Sequence, residues 1–164
     1  MPDTAIVVNT SPTLGLIAAL GELSALQKLY AQIVIPHAVQ LEVLAAGAQG
    51  FGVDAFNQAH FLYCVAQPIE LPTLLRASLD RGEAEVIACA QDMKISLVCI
   101  DEIQGRRIAR LSGLRVTGSV GVLLRLKAQG HLDNIKPCLV RMRQQGIWLS
   151  KELEQHALVM AGEA

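Results

Sequence analysis

The sequence predicts an α/β fold in which a parallel sheet is covered by helices on both faces. Short, continuous apolar runs such as Ala5–Val8 and residues 95–100 lack in–out alternation, as strands buried on both faces do. Between them lie longer stretches with helical apolar spacing and capping residues at their starts, so strands and helices alternate. Size is the third observation. A chain of 164 residues, 52% of them hydrophobic, suits one domain with one core, expected over residues 1–164.

The elements follow in order. Ala5–Val8 is the first strand and ends at Asn9-Thr10-Ser11-Pro12, where Ser11 is a natural N-cap and Pro12 a natural first helical residue. Gly21 interrupts that helix, and Leu23, Leu26 and Tyr30 continue a helical stripe. Residues 33–35 form the second strand, and Pro36 opens a helix with Val39, Val43 and Ala46 along one side. Residues 47–52 are a loop. Residues 61–65 are expected as a third strand, followed by Pro68 and Pro72. Asp80-Arg81-Gly82-Glu83 resembles a capping box and starts a helix running to about Gln91. Residues 95–100 are the clearest strand and end on Asp101-Glu102. The helix Ile103–Leu111 stops at Gly113, and Arg115–Thr117 is a short strand. Gly118-Ser119 opens the helix 120–129, which Gly130 closes, and helices near 135–144 and 150–160 complete the chain.

Several classes are excluded. Disorder does not fit so apolar a chain. The apolar stretch 14–20 is broken by Glu22, short of the ~20 residues that a membrane span needs. Met1-Pro2-Asp3 lacks the positive start of a secretory leader, so a cytoplasmic location is expected. Cys64, Cys89, Cys99 and Cys138 share no zinc-type spacing with one another or with His37, His60, His131 and His156, and they read as small hydrophobes. No dinucleotide, P-loop or nucleophile-elbow motif occurs.

Net charge is −1, but its distribution is uneven. Residues 1–75 hold Lys28 against Asp3, Glu22, Glu42, Asp54 and Glu70. Residues 103–149 hold Arg106, Arg107, Arg110, Arg115, Arg125, Lys127, Lys136, Arg141 and Arg143 against Asp133 alone. Such a stretch suits a polyanion, and equally suits the solvated outer faces of helices. With few aromatics, nucleic-acid binding would rest on phosphate contacts rather than base stacking.

In parallel sheets, ligands bind outside the carboxyl ends of the strands, near the point where strand order reverses. Asn9 and Asp101 stand directly after apolar strands, Glu42 lies in the helix after the second strand, and Glu83 and Glu85 lie early in the helix before the clearest strand. Oxygen ligands without histidine or thiolate suit a hard cation such as Mg²⁺ or Mn²⁺, which can hold a phosphate and orient a water. Ordinary roles also fit each residue: Asn9 in its turn, Glu42 on a solvated face, Glu83 completing the box begun by Asp80, and Asp101 or Glu102 capping the next helix. Glu83, Ile87 and Ala90 share one stripe, whereas Glu85 points to a different side. The weight lies in their joint placement.

The segments VVNTSPTLGLIAALGELSALQKLY, IVIPHAVQLEV, LDRGEAEVIACA, LVCIDEIQGRRIARLSGLRVTGSVGVLLRLKAQG and QQGIWLS, in this order, make the chain resemble PIN-domain proteins. The resemblance is to the bacterial branch of predicted nucleic-acid-binding proteins related to VapC-type toxins. It implies a PIN-like three-layer α/β/α fold with a short central parallel sheet and an acidic pocket for Mg²⁺ or Mn²⁺. It also implies cleavage of single-stranded RNA and, often, a homodimer held by an antitoxin. The four acid positions of the family fall on Asn9, Glu42, Glu83 and Asp101, and the small hydroxyl positions on Thr10, Ser11 and Ser119. Nuclease members carry Asp where this chain has Asn9, so one of four formal negative charges is missing.

Two functional expectations result. One is a metal-dependent ribonuclease, a toxin by its resemblance, with Glu42, Glu83 and Asp101 holding the cation, Asn9 assisting, and Glu85 at the pocket wall. Arg106, Arg107 and Arg110 would steer the RNA backbone. The other is a PIN-like binding or interaction module with weak or no nuclease activity, for which a mean hydropathy of +0.38 suits a protein interface.

Overall fold

The computed structural model describes residues 4–164, and the Met1-Pro2-Asp3 start lies outside them. Five strands form one parallel sheet: β1 (Ala5–Val8), β2 (Gln32–Ile35), β3 (Tyr63–Cys64), β4 (Leu97–Cys99) and β5 (Arg115–Thr117). Their spatial order is β3-β2-β1-β4-β5, and every neighbouring pair is parallel. Helices cover both faces, giving the expected three-layer α/β/α architecture. On one side α1 (Thr10–Leu20) packs against α7 (Ser119–Ala128) and α8 (Lys136–Gln144), and α9 (Lys151–Ala161) packs on α7. On the other, α5 (Arg81–Asp92) lies over β1 and β4, beside α4 (Thr73–Ser78) and α6 (Ile103–Leu111). The helix α2 (His37–Leu44) touches both α1 and α5.

The central strands are apolar on both faces because both faces are covered. Val7, Val34, Val98, Cys99 and Ile100 are fully buried, as are Ile87 of α5 and Leu123 of α7. Cys89 and Cys138 are buried as well, while Cys64 is exposed on the edge strand. The expected strand 95–100 narrows to Leu97–Cys99, and the larger differences from the sequence reading are four. The first helix is capped by Asn9 rather than Ser11, since Asn9 is extended and its carbonyl accepts from both Thr13 N–H (3.1 Å) and Thr13 Oγ1 (2.7 Å). The stripe through Leu23, Leu26 and Tyr30 is a 3₁₀ turn over Ser24–Lys28, set off by Gly21 at φ +84°. Only Tyr63 and Cys64 of the third strand pair with β2. The helices α3 (Val53–Gln58) and α4 were not expected, because six residues are too few for a periodic signal.

The N-terminus of α2 is held from outside its own sequence. Pro36 occupies the cap position and supplies no side-chain acceptor, and Ala38 N–H instead donates to Glu85 Oε1 of α5 at 3.0 Å. Glu85 is 1% exposed, and Arg81 Nε donates to its other oxygen at 2.9 Å. A carboxylate at a helix N-terminus also opposes the positive end of the helix dipole. Glu85→Ala leaves a buried N–H without an acceptor and should cost about 1–3 kcal/mol in denaturant unfolding. Arg81→Ala, at a half-exposed side chain, should cost under about 1 kcal/mol. Equal losses in the two variants would assign the stabilisation to the ion pair rather than to the helix cap.

Candidate metal and nucleic-acid site

The strand order reverses between β1 and β4, so their carboxyl ends lie side by side. Asn9 N–H donates to Cys99 O at 3.0 Å, continuing the ladder one residue past β1. Asn9 is buried, and its side chain makes no cap hydrogen bond to α1, so the amide is left to face the crevice. Glu42, on α2, reaches the same place. A Cβ built on Gly82 would collide with Glu42 Oε1 and would lie 3.3 Å from Asn9 Oδ1. The glycine in the first turn of α5 thus makes room for two oxygen donors. Thr10 adds a third: its hydroxyl is buried without a hydrogen bond of ordinary geometry, yet lies close enough to Glu42 to favour the ionised carboxylate.

Glu83 is held beside them. Its N–H donates to Asp80 Oδ1 at 2.9 Å, which starts α5 with the capping residue read from the sequence. Its side chain turns toward α6, where a Cβ on Gly105 would lie 2.9 Å from Glu83 Oε2. Glu83 is only 7% exposed. Burial pushes its carboxyl up to about 7, and Asp80, Glu102 and Glu42 push the same way by charge. A hydrogen bond between the Glu83 and Asp80 side chains adds to this, since one carboxyl must keep its proton to donate. Glu42 is raised too, first by burial and then by the charges of Asp80 and Glu85, while Thr10 lowers it.

Asp101 stands apart. Ser119 N–H donates to Asp101 Oδ1 at 2.8 Å and Ser119 Oγ to Oδ2 at 2.9 Å, so this carboxylate caps α7. It is not among the charges that act on Glu83 or Glu42. Of the expected residues, Asn9, Thr10, Glu42 and Glu83 come together, and Asp101 with Ser119 forms an adjoining group. Ser11 is exposed on the first turn of α1. Glu85 is occupied by Ala38 and Arg81, and only its charge is felt at Glu42. Asp80 and Glu102 join the electrostatic cluster although neither was singled out as a ligand. Both had been assigned to helix starts, but Glu102 makes no side-chain cap bond, which frees it.

Among the described residues, no three His, Cys, Asp or Glu side chains form a ready metal centre. The donor set nonetheless fits a hard cation. It offers carboxylate, amide and hydroxyl oxygens, a buried Thr10 hydroxyl beside Glu42, and a cradle at Gly82 that any side chain would fill.

The basic stretch divides in the structure. Arg125 lies 5.9 Å from the Tyr30 ring centroid, Lys127 pairs with Glu163, Arg141 donates to Ala19 O, Arg143 pairs with Glu154, and Arg115 donates to Ser96 Oγ. Arg125, Lys127, Arg141 and Arg143 thus tie the helical layer together, and Arg115 ties β5 to the residue before β4. On α6, Arg107 and Arg110 are exposed, whereas Arg106 is half-buried and donates from Nη1 to Ile100 O at 2.8 Å.

A carboxyl whose folded pKa is raised favours folding while protonated and opposes it once ionised. For Glu83 the stabilisation is present below its ordinary value of 4.5 and is lost as pH rises through about 7. The thermal midpoint of the metal-free protein should therefore fall between about pH 5 and pH 8. Glu83→Gln should flatten that decline and melt higher than the wild type at pH 8. A decline of equal steepness in both proteins would remove Glu83 as its cause.

The fold agrees with what is similar to the chain. A family model described as a PIN domain matches residues 5–163. No curated protein matches the sequence. PIN domains are nuclease-type, nucleic-acid-binding domains that generally depend on a divalent metal. With nearly its whole length matched and a parallel three-layer architecture, the chain belongs to the PIN-domain family.

Proposed function

We propose that the chain is a Mg²⁺- or Mn²⁺-dependent endoribonuclease acting on single-stranded RNA. The observation that supports this most is the meeting of Asn9 and Glu42 oxygens at Gly82, with the Glu83 carboxylate at Gly105 within reach of the Glu42 charge, beside the strand-order reversal. Glu42 and Glu83 would hold the cation, Asn9 would assist through its amide oxygen, and Asp101 would contribute from the neighbouring strand end. Thr10, Ser11, Ser119 and Glu85 border them. When bound, a divalent cation supplies neutralisation of phosphate charge and acidification of a water. The chain's own part is positioning. Glu83 must lose its proton to hold the cation, so its raised pKa would make cation binding tighten as pH rises. The attacking water would give its proton to solvent. Hydrolysis forms one phosphorus–oxygen bond from that water and breaks the bond to the leaving oxygen, which is protonated from solvent.

The resemblance to VapC-type toxins extends the proposal to a toxin role in the cytoplasm, with an antitoxin partner and a homodimer. Among the described residues, no helix is long and apolar enough to cross a membrane. A neighbouring gene for a small DNA-binding protein would favour that role. A second reading is favoured by Asn9 itself: without the first carboxylate, the chain would be a PIN-like nucleic-acid-binding or protein-interaction module with weak or no cleavage.

Asn9→Asp separates the two. At ~4 Å and an effective dielectric of about 20, a unit charge pair is worth ~4 kcal/mol before desolvation, and carboxylate crowding returns much of that. The variant should be slightly less stable without metal and should bind Mn²⁺ about tenfold tighter, near 1.4 kcal/mol. Cleavage of a labelled single-stranded RNA should rise with it. Calorimetric titration beside the cleavage assay reads both, and unchanged Mn²⁺ affinity would mean that Asn9 does not face the acids. In a thermal scan, Mn²⁺ should raise the melting temperature of the wild type more than that of Asp101→Asn. An equal rise would exclude Asp101 as a ligand.

A further inference from the structure

We propose that Arg106 is a phosphate-binding residue that works without the metal, its guanidinium taking a backbone phosphate of single-stranded RNA at the Asp101 end of the crevice. This rests on the nucleic-acid part of the reading above and not on metal binding or cleavage. Three observations carry it.

The first is direction. A Cβ on Gly118 would lie 2.6 Å from Asp101 Oδ1 and 2.9 Å from Arg106 Nη1, so the guanidinium and the strand-end carboxylate flank the same opening. Arg107 lies about 100° further around α6, and Arg110, though on the same side as Arg106, is one turn further from Asp101. Both are exposed.

The second is unspent capacity. A guanidinium has five N–H donors, and Arg106 commits Nη1 to Ile100 O at 2.8 Å. Among the described residues it forms no ion pair. Asp101, across Gly118, has each of its oxygens hydrogen-bonded to Ser119. The remaining N–H donors of Arg106 are therefore available to an anion from outside.

The third is preorganisation. The bond to the Ile100 carbonyl fixes one corner of the fork at the end of β4, and Gly118, having no side chain, makes the room in which the guanidinium sits. A planar fork with restricted rotation suits the paired non-bridging oxygens of a phosphodiester and loses little entropy on binding. A long, free arginine such as Arg107 would give a weaker contact, sensitive to salt and indifferent to position.

The test is fluorescence anisotropy of a short labelled single-stranded RNA in EDTA, across a salt series. It compares the wild type, Arg106→Met, Arg106→Lys and the double variant Arg107→Ala/Arg110→Ala, with a melting curve for each. Arg106→Met should weaken binding about tenfold and reduce the log–log salt slope by about 0.7, one single-strand phosphate contact. Arg106→Lys should keep the slope and recover only part of the affinity, because an ammonium lacks the fork. The double variant should lose less than about threefold. Wild-type affinity in Arg106→Lys and Arg106→Met, or an equal loss in the double variant, overturns the assignment. If Arg106→Met melts too low to assay, Arg106→Lys decides between weakened and unchanged affinity. No RNA binding by the wild type would overturn this inference and the nucleic-acid reading together. Binding that depends on Arg106 without Mn²⁺-dependent cleavage would overturn the nuclease reading alone.

Discussion

The structure depends on the position of β1 at the centre of a parallel sheet whose strand order reverses beside it. β1 pairs with β2 on one side and β4 on the other, with Val7 opposite both Val34 and Val98. The chain therefore runs outward to β3 first and must cross back over the sheet to reach β4. Helices leaving β1 and β4 diverge at their carboxyl ends, which opens a crevice there. Asn9 and Asp101 are the first polar residues beyond those two strands. α2 and α5 bring Glu42 and Glu83 to the same edge, and the buried Glu85 carboxylate, bonded to Ala38 N–H, joins α5 to the start of α2.

That placement puts acids where an isolated protein would not keep them. Glu83 is buried among Asp80, Glu102 and Glu42, and its high pKa expresses the cost of ionising it there. Asn9, in place of a carboxylate, relieves part of the same repulsion. Glycines complete the arrangement, because Gly82 and Gly105 leave space into which Glu42 and Glu83 extend. Local stability is thus given up at the edge where cation and phosphate chemistry would occur, while the apolar strands beneath hold the edge in place.

Much of the fold was legible because its signals are local. The apolar runs of β1 and β4 need no partner to be recognised, and Asp80 caps α5 through a bond to Glu83 N–H three residues away. The short helices α3 and α4 left no periodicity to read. Ser11 looked like the cap because serine before proline is a common start, yet the backbone of Asn9 turns first. At the site, Asn9, Glu42 and Glu83 followed from their positions relative to strands. The inclusion of Asp80 and Glu102, the commitment of Asp101 to Ser119, and the inward turn of Arg106 among three arginines depend on distances between elements, which spacing along the chain does not encode.

The central claim is that this strand-end edge binds a divalent cation, and paramagnetic broadening by Mn²⁺ in a backbone amide NMR spectrum tests it directly. Substoichiometric Mn²⁺ should broaden the amides of residues 9–11, 82–84 and 101–103 first and leave those of α9 sharp. Broadening centred elsewhere, or uniform weak broadening across the surface, would contradict the account.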